Sequence, residues 1–446
     1  MLPISIYNSL TNKKEPFVPE KEGEVHLYVC GPTVYNYVHI GNMRPVVVFD
    51  TFRRFLTYIG YQVTYVSNYT DVDDKIIKEA KKEGKDEKSL ADFYIAAFEE
   101  DLKNIHALKP NITPRVTEYM PQIIAFIQEL VEKGAAYVVD GDVYFRVSSV
   151  EDYGVLSNTK IEDLLVGARI EVGSKKESPL DFTLWKKTEE GIRWDSPWSK
   201  GRPGWHTECV VMIHSIFAEG KIDIHGGGFD LKFPHHENEI AQCQACYGHK
   251  IAKYWMHNGF ININNEKMSK SLGNFVTAKD ALAKYSGNVV RLLLLSTYYR
   301  SPVNFAEELL MNCANEIQKM QKAYQSLAID LQIKGFALDE KKEVEEIKPF
   351  LLALADDLNT SNAMTELFAL VKKANQLVRS KGLEEERKHL WIALRDAVSI
   401  MGFVFDYPHL TEEDLALYQS YQEAKAQKDF ARSDELRAEL MKRNIL

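Results

Sequence analysis

Residues 24–68 read EVHLYVCGPTVYNYVHIGNMRPVVVFDTFRRFLTYIGYQVTYVSN, and this stretch decides the fold. Glu24–Cys30 is a short apolar run, which predicts a buried strand that breaks at Gly31-Pro32. A helix fits from about Gly41 to Ile59, because its apolar residues recur with helical spacing. Tyr61–Asn68 is rich in aromatic and β-branched residues and predicts a second strand. Strand, helix and strand of these lengths indicate a right-handed parallel unit, and therefore an α/β sheet.

The pattern of predicted strands and helices divides the rest of the chain into domains. Residues 120–205 lose the α/β alternation and hold short strand-like pieces between charged loops, which indicates an insertion. The alternation returns near Lys221–His225, and from about Asn304 the pattern is helical to the end. We therefore expect a catalytic domain whose first half is 1–119, an inserted domain at 120–205, a second catalytic half at 206–303 and a helical domain at 304–446.

The amino-acid composition limits the classes of protein to which the chain can belong. The chain has 446 residues, of which 45% are hydrophobic and 27% charged, as in a globular protein of two or three domains. No apolar run approaches the roughly 20 residues of a membrane span, and no secretory signal is present, so we expect a cytoplasmic protein without a membrane segment. The net charge of −9 argues against a general nucleic-acid binder but leaves room for a local basic face. Five widely spaced cysteines favour metal binding or burial over a disulfide framework.

The first chemical motif is His39-Ile40-Gly41-Asn42, which follows the first strand and opens the helix. A helix N-terminus presents free backbone N–H groups and a partial positive charge, and it therefore binds phosphate. Gly41 would let a nucleotide approach the backbone, and His39 could donate a hydrogen bond to a phosphate oxygen. Taken alone the motif is weak, since a capping loop without chemical meaning has the same residues.

The second motif is Lys267-Met268-Ser269-Lys270-Ser271, about 225 residues later. Two lysines three residues apart, among small hydroxyls and close to Gly273, could close over a triphosphate and stabilise the departing pyrophosphate. For two lysines in isolation a solvated charged loop is the better interpretation. The full string, together with the first motif, favours the nucleotide loop.

The two motifs resemble the HIGH and KMSKS signatures of class I aminoacyl-tRNA synthetases. The resemblance implies a Rossmann-like parallel sheet that binds ATP with Mg²⁺, and it assigns catalytic roles to His39, Asn42, Lys267 and Lys270. The fourth residue of the first signature is often His in that family, whereas this chain has Asn42. Asn can still donate a hydrogen bond.

Four further segments resemble the cysteinyl-tRNA synthetases in particular. They are Cys30–Tyr35 (CGPTVY), Thr70–Lys75 (TDVDDK), Gly204–Cys209 (GWHTEC) and Phe233–Glu239 (FPHHENE). The resemblance implies that ATP, L-cysteine and cysteine tRNA are the partners. We expect a monomer, although the sequence itself does not give the oligomeric state. It also implies that 304–446 contacts the anticodon side of the tRNA, although composition alone makes residues 425–434 a solvated amphipathic helix.

Within this resemblance, four residues offer the ligand types of a zinc site: Cys30, Cys209, His235 and Glu239. His235 and Glu239 are four apart and would share a helix face, which favours His235 over the neighbouring His236 without excluding it. Zinc is thiophilic, so one ion per chain could bind a substrate thiol and discriminate against serine. We interpret the nearby Cys243 and Cys246 as structural.

The resemblance also assigns binding residues. Thr70 and Trp205 are similar to residues of the cysteine pocket. Residues 225–230 (HGGGFD) resemble the loop under the adenosine, where Gly226, Gly227 and Gly228 would allow close approach and Asp230 would contact the ribose hydroxyls. The alternative is a simple turn after a strand.

Three rival functions share some of these features. A cysteine ligase acting on a small amine, similar to the mycothiol-pathway enzyme, would lack the helical half after Asn304. A non-catalytic tRNA-binding paralogue would have no need of His39, the lysines and the zinc-ligand types. A generic nucleotidyltransferase would have the first motif without the zinc set.

Overall fold

The computed structural model describes residues 2–158, 175–268, 273–380 and 382–446, with Lys267 described by its backbone alone. Its strands are β1 (Ser5–Asn8), β2 (Lys13–Pro16), β3 (Glu24–Val29), β4 (Gln62–Ser67), β5 (Ala136–Val139), β6 (Asp142–Phe145), β7 (Phe182–Lys187), β8 (Gly201–Pro203), β9 (Ile222–Gly228), β10 (Ala252–Asn258), β11 (Ile261–Ile263), β12 (Glu266–Lys267) and β13 (Val303–Phe305). Its α-helices are α1 (Ile40–Tyr58), α2 (Asp74–Glu83), α3 (Glu87–Asn104), α4 (Met120–Glu132), α5 (Glu208–Ile216), α6 (Glu237–Tyr247), α7 (Ala278–Lys284), α8 (Gly287–Leu295), α9 (Glu307–Ile333), α10 (Lys348–Ala355), α11 (Thr360–Val378), α12 (Glu384–Met401), α13 (Glu412–Ala426) and α14 (Phe430–Lys442).

The central sheet contains four parallel strands in the order β10-β9-β3-β4. The predicted strand–helix–strand unit is confirmed as β3, α1 and β4, with ends that differ from the prediction by one residue. The order reverses between β3 and β9, because each of these strands continues to a partner on its own outer side. In open α/β sheets the crevice at such a reversal, beyond the carboxyl ends of the strands, is where ligands bind.

The start of α1 is set by a reciprocal cap. His39 is the N-cap residue in an extended conformation, and its backbone N–H donates to Asn42 Oδ1 at 3.2 Å. Because this cap satisfies one of the free donors that precede the first turn, the helix begins at Ile40. The apolar face that the sequence predicted is buried, with Val48, Phe52 and Phe55 at most 1% exposed.

The glycines expected in a loop lie instead in a strand. β9 continues through Gly228, where Gly226–Gly228 pair in register with Met256–Asn258 of β10. A side chain at Gly226 would overlap the ring of Phe49, which belongs to α1. The three glycines therefore let the sheet and the helix approach each other closely, a packing requirement that a turn-like sequence did not reveal.

The region expected as an insertion forms its own sheet. β5, β6, β7 and β8 make an antiparallel meander, and the turn between β5 and β6 places Asp140 and Gly141 at positive φ. Its apolar face shares a core with α4 and α5, which includes Trp185, Phe145 and Cys209. This second core also contains Tyr28, Val66 and Trp255 of the central sheet, so it packs the insertion against that sheet.

The C-terminal part is helical, as predicted, and it is joined to the sheet domain by a continuous apolar core. Arg291 of α8 is fully buried and bridges the two parts: it donates to Asp50 of α1, and its Nε donates to the carbonyl of Met401 at 2.6 Å. Among the described residues, no helix is both long and apolar enough to cross a membrane.

Candidate active site

A cleft of about 640 Å³ opens at the carboxyl edge of β3 and β9. The order reversal of the sheet therefore coincides with this cleft. The site residues expected from the sequence that line this cleft are Cys30, His39, Gly41, Asn42, Trp205, Gly228 and Asp230. The others lie behind its wall or outside the described residues, and each is located below.

One end of the cleft carries the sulfur atoms. Cys30 follows β3 and Cys209 opens α5, and their Sγ atoms are 3.7 Å apart. His235 Nε2 is 3.7 Å from Cys209 Sγ and 2.9 Å from Glu239 Oε1, while Cys30 Sγ is 3.9 Å from the same carboxylate oxygen. These four predicted zinc-ligand types thus converge from three separate elements, with every ligand atom within 4.8 Å of the others.

Charge is concentrated in this cluster although it is buried. Glu239 is fully buried, yet the imidazoles of His225 and His235 hold its pKa well below the usual range. Burial opposes the charged form of His235, but Glu239 and Cys209 outweigh it and raise the pKa to about 10. A hydrogen bond from Cys30 and the neighbouring His235 lower the pKa of Cys209 to about 6. The environment therefore favours the thiolate form of Cys209, the imidazolium form of His235 and the carboxylate form of Glu239.

The sequence did not exclude His236 as a zinc ligand in place of His235. The structure places both histidines close to a cysteine sulfur. His236 Nε2 is 3.3 Å from Cys30 Sγ, and its other nitrogen contacts His257 at 2.9 Å, which contacts Ser9 Oγ at 2.8 Å. A second convergent group therefore exists, made of Cys30, His225, His236 and Glu239. His225 Nε2 lies 2.7 Å from Glu239 Oε2, so the two groups share that carboxylate.

The two expected pocket residues occupy different depths. Trp205 lines the cleft, is 42% exposed and stacks on the ring of His235 with centroids 4.7 Å apart. Thr70 is only 3% exposed and lies behind the cleft wall, where its hydroxyl donates to Glu208 Oε2 at 3.0 Å. Trp205 can therefore touch a ligand directly, whereas Thr70 supports the wall through Glu208, whose own pKa is raised by burial.

The other end of the cleft is formed mainly by backbone atoms of the first turn of α1. The first turn of α1 opens onto it at Gly41, where an added Cβ would come within 2.7 Å of His39 Nδ1 and 3.2 Å of Met268 Cε. The amide of Ile40 donates to the carbonyl of Val276 at 3.0 Å, and His39 forms a bridge with Thr277. The first motif therefore lies against Met268 of the second motif and against the segment that follows it. Lys270 falls outside the described residues, and Lys267 is described only as the end of β12.

The floor between the two ends comes from β9 and β10. Gly228, Asp230 and Leu231 line the cleft together with Gly259. Gly226 and Gly227 lie deeper, in the paired part of β9. The glycine segment thus contributes its last residue to the cleft, while the first two serve the packing of the sheet.

Comparison with known proteins decides the family. Residues 16–315 match the model described as "tRNA synthetases class I (C) catalytic domain", and residues 349–406 match a DALR domain. A Cysteine--tRNA ligase of Bacillus licheniformis is 49% identical over 99% of this chain and 96% of its own. One of Bacillus cytotoxicus is 50% identical over 99% and 97%.

The chain belongs to the cysteine–tRNA ligase family. It is therefore a class I aminoacyl-tRNA synthetase, and the resemblance drawn from its motifs is confirmed.

Solved structures support the same fold. Methionyl-tRNA synthetase of Mycobacterium tuberculosis, in complex with methionyl-adenylate, superposes with a TM-score of 0.61 at 13% identity, covering 85% of this chain and 89% of its own. A putative arginyl-tRNA synthetase of Campylobacter jejuni gives 0.57 at 15% identity, with 87% and 94% covered. The α/β catalytic domain followed by a helical domain is thus confirmed. The DALR match also separates this family member from a ligase that lacks the helical half.

Two features of this synthetase were missed or left aside by sequence reasoning. His225 and His257 received no role, although His225 precedes the glycines of a segment that had been singled out. The contact of His225 with Glu239 and that of His257 with His236 cannot be predicted from spacing. Cys243 and Cys246 belong to neither convergent group among the described residues. Burial raises the pKa of each thiol to about 12, and Cys243 Sγ contacts the carbonyl of His249 at 3.3 Å.

Proposed function

We propose that the protein activates L-cysteine with ATP to form cysteinyl-adenylate and transfers the cysteinyl group to the 3′ end of cysteine tRNA. The single observation that carries the proposal is the convergence of Cys30, Cys209, His235 and Glu239 at one end of the cleft whose other end is the first turn of α1. A site for a thiol and a site for phosphates share one cavity, as a reaction between cysteine and ATP requires.

The thiol end fits one zinc ion. Two sulfurs, one imidazole nitrogen and one carboxylate oxygen lie within 4.8 Å of one another, and three of the four residues are buried. These are the ligand types that zinc selects, and the lowered pKa of Cys209 supplies a thiolate. Zinc held there would supply a Lewis acid that favours the thiolate form of the substrate.

The surrounding residues would orient the substrate and exclude water. Trp205 covers the cluster by stacking on His235, and its exposed edge faces the cleft. Thr70 and Glu208 fix the wall behind it through their hydrogen bond. Cysteine bound between Trp205 and the sulfurs would extend its carboxylate toward the α1 end of the cleft.

At the phosphate end we assign the roles by position and residue type. The positive end of α1, with Gly41 and the side chain of Asn42, would bind the phosphates, while His39 would stabilise charge on the α-phosphate as it is attacked. Lys267 and Lys270 would neutralise the departing pyrophosphate together with Mg²⁺. Asp230 would accept hydrogen bonds from the ribose beside Gly228, while Gly226 and Gly227 would act through the packing of β9.

The proposal also assigns a function to each predicted domain of the chain. Residues 1–119 and 206–303 would form the catalytic domain, 120–205 would receive the acceptor end of the tRNA, and 304–446 would bind its anticodon side. The DALR match within 349–406 supports the last assignment. The monomeric state stays a prediction.

This arrangement accounts for specificity in physical terms. Cysteine and serine have nearly the same shape, so a packed pocket could separate them by only about 1–3 kcal/mol. A metal–thiolate bond has no equivalent for an alcohol, which is a far weaker acid and a poor ligand. Discrimination would therefore be achieved in the first binding step, without a second site for editing.

The test is ATP–pyrophosphate exchange with each of the twenty amino acids, combined with elemental analysis. We expect exchange with cysteine alone and one zinc per chain. In cobalt-substituted protein, added cysteine should produce thiolate-to-metal absorption. Exchange stimulated by another amino acid would contradict the assigned substrate, and zinc held by Cys243 and Cys246 would contradict the assigned ligands.

A further inference from the structure

Lys75, the last residue of the Thr70–Lys75 segment, has no role in the chemistry described so far. It lines the cleft, and of the described lining residues it is the one lysine or arginine, while Asp230 is the one carboxylate. Its Nζ lies over the ring of Tyr35, 5.5 Å from the centroid, and Tyr35 lines the same cleft. An aromatic face attracts a cation without neutralising it, so this contact holds a positive charge inside the cleft.

The two carboxylates next to Lys75 in the chain are engaged elsewhere. Asp73 caps α2 by accepting a hydrogen bond from the backbone N–H of Lys75 at 2.8 Å. Asp74 forms ion pairs with Lys186 of β7, at 2.8 Å, and with Arg202 of β8. Among the described residues, the ammonium of Lys75 contacts the ring of Tyr35 and joins no ion pair. Its charge is therefore available to an anionic ligand of the cleft.

The ion pairs of Asp74 indicate the side from which Lys75 enters the cleft. α2 follows β4, the outer strand next to β3, and Asp74 connects its first turn to the sheet of the insertion. Gly228, Asp230 and Phe260 come from the ends of β9 and β10, on the other side of β3. The proposed contacts of ATP lie on that other side and at α1. Lys75 is therefore placed for an anion that arrives from the insertion.

We propose that the ammonium of Lys75 binds a backbone phosphate of the single-stranded 3′ end of the tRNA as this end enters the cleft. This role rests on the proposed function, in which the insertion receives the acceptor end, and it adds a residue that serves the transfer step. A phosphate contact carries no sequence information, but it fixes the position of the strand. Lys75 takes no part in adenylate formation, because ATP and cysteine bind through other residues.

The experiment compares Lys75→Met, Lys75→Arg and Lys85→Met in the full-length protein. Methionine keeps an apolar stem beside Tyr35 but has no charge, whereas arginine restores the charge. Lys85 is the matched control, because it also lies over an aromatic ring, that of Phe93 at 5.1 Å, but is not among the described residues that line the cleft.

Two steps of the reaction are measured separately. Adenylate formation is followed without tRNA by ATP–pyrophosphate exchange. Transfer from preformed cysteinyl-adenylate to cysteine tRNA is followed in single turnovers, at increasing concentrations of tRNA and of salt.

We expect Lys75→Met to need about 10-fold more tRNA for half-maximal transfer, the lower end of the loss for one hydrogen bond between charged groups. The slope of log affinity for tRNA against log salt should become shallower by about 0.7, the value for one phosphate contact on a single strand. Lys75→Arg and Lys85→Met should match the wild type in transfer. Exchange with cysteine should be the same in all four proteins.

Unchanged transfer in Lys75→Met would overturn this role. A higher KM for ATP or cysteine in exchange would also overturn it, because Lys75 would then contact a substrate of the first step. Neither result would affect the proposed function, which fails separately if the wild type shows no exchange with cysteine.

Discussion

The two ends of the cleft are built from different parts of the chain. The thiol end consists of side chains: Cys209, His235 and Glu239 are at most 3% exposed, each is held by its neighbours, and their pKa values are displaced from the usual range. The phosphate end consists of the main chain of the first turn of α1, to which His39 and Asn42 add their side chains. One end is therefore fixed by packing and the other by the geometry of a helix terminus.

This difference separates two tasks. Buried and mutually charged side chains suit the choice of substrate, because any group of the wrong chemistry leaves a buried partner unsatisfied. Free backbone donors suit a polyphosphate, whose charge must be stabilised as it moves during the reaction. Substitutions at the thiol end should accordingly change which amino acid binds, and substitutions at the phosphate end should change how fast the bound one reacts.

The largest effect is expected at the centre of the thiol end. Cys209→Ser should lose zinc and weaken cysteine binding by about 1000-fold, roughly 4 kcal/mol, because an alcohol cannot replace the thiolate ligand. The affinity for ATP should change little, since ATP binds at the other end. Metal analysis and pyrophosphate exchange at varied cysteine and ATP concentrations measure the three quantities.

Cys243→Ser is the matched control for this prediction. Cys243 is 1% exposed and shares the core of Cys209, but it lies outside both convergent groups of the described residues. The control should lower stability and leave zinc content and the KM for cysteine unchanged. If Cys209→Ser kept its zinc and its cysteine affinity, the thiol end would not be a metal site.

The next effect concerns the phosphate end. Lys270→Ala should slow adenylate formation by about 100-fold or more while leaving the affinity for cysteine nearly unchanged, because its charge acts mainly as pyrophosphate departs. His39→Ala should behave in the same way. Single-turnover rates of adenylate formation, with cysteine binding measured separately, test both variants. Lys284→Ala is the control, since this exposed lysine ends α7 and contacts Glu307 rather than any residue of the cleft. An unchanged activation rate in Lys270→Ala would remove this lysine from the mechanism.

The sequence alone predicted some structural elements correctly but not others. β3, α1 and β4 followed from periodicity, because each element is amphipathic or apolar along its whole length and makes local contacts. The strand position of Gly226–Gly228 did not follow, since it depends on the ring of Phe49 from a different element.

The same contrast applies to the candidate site, where some residues could be predicted from the sequence and others could not. Family motifs located Cys30, Cys209, His235 and Glu239, whose convergence is a property of the fold and not of their spacing. The contributions of His225 and His257 depend on long-range contacts with Glu239 and His236 respectively, and no local pattern contains that information.

A smaller effect tests the support behind the thiol end. Thr70→Val keeps the shape of the side chain but removes the hydroxyl that donates to Glu208. Leaving that buried carboxyl without its donor should cost about 1–3 kcal/mol of stability, and the displaced wall should raise the KM for cysteine by about 10-fold. Thr51→Val is the control: Thr51 is equally buried but accepts a hydrogen bond from Arg291 at 3.3 Å, far from the sulfurs. An equal rise of the cysteine KM in both variants would show that Thr70 acts only through general stability.

The smallest effect concerns Asp101, a carboxyl behind the phosphate end. It is 4% exposed on α3, in a second cleft that also contains Tyr37 and Lys279. Burial raises its pKa to about 6, against the attraction of Lys279 and with small contributions from Glu100 and Asp280. Since the folded pKa lies above the unfolded value, the folded protein holds this proton more tightly. The stabilisation is therefore complete below about pH 4 and is lost as the pH rises through 6.

Asp101→Asn should accordingly gain stability relative to the wild type between pH 4 and pH 7, by about 1–3 kcal/mol, because the amide stays neutral in both states. Urea denaturation midpoints measured at intervals of pH give the difference directly. Glu100→Gln, an exposed neighbour on the same helix, should follow the wild-type curve. If the difference between Asp101→Asn and the wild type did not vary with pH, Asp101 would be ionised in the folded protein, and Lys279 rather than burial would dominate its environment. The phosphate end would then resemble the thiol end in holding a buried charge against a fixed partner.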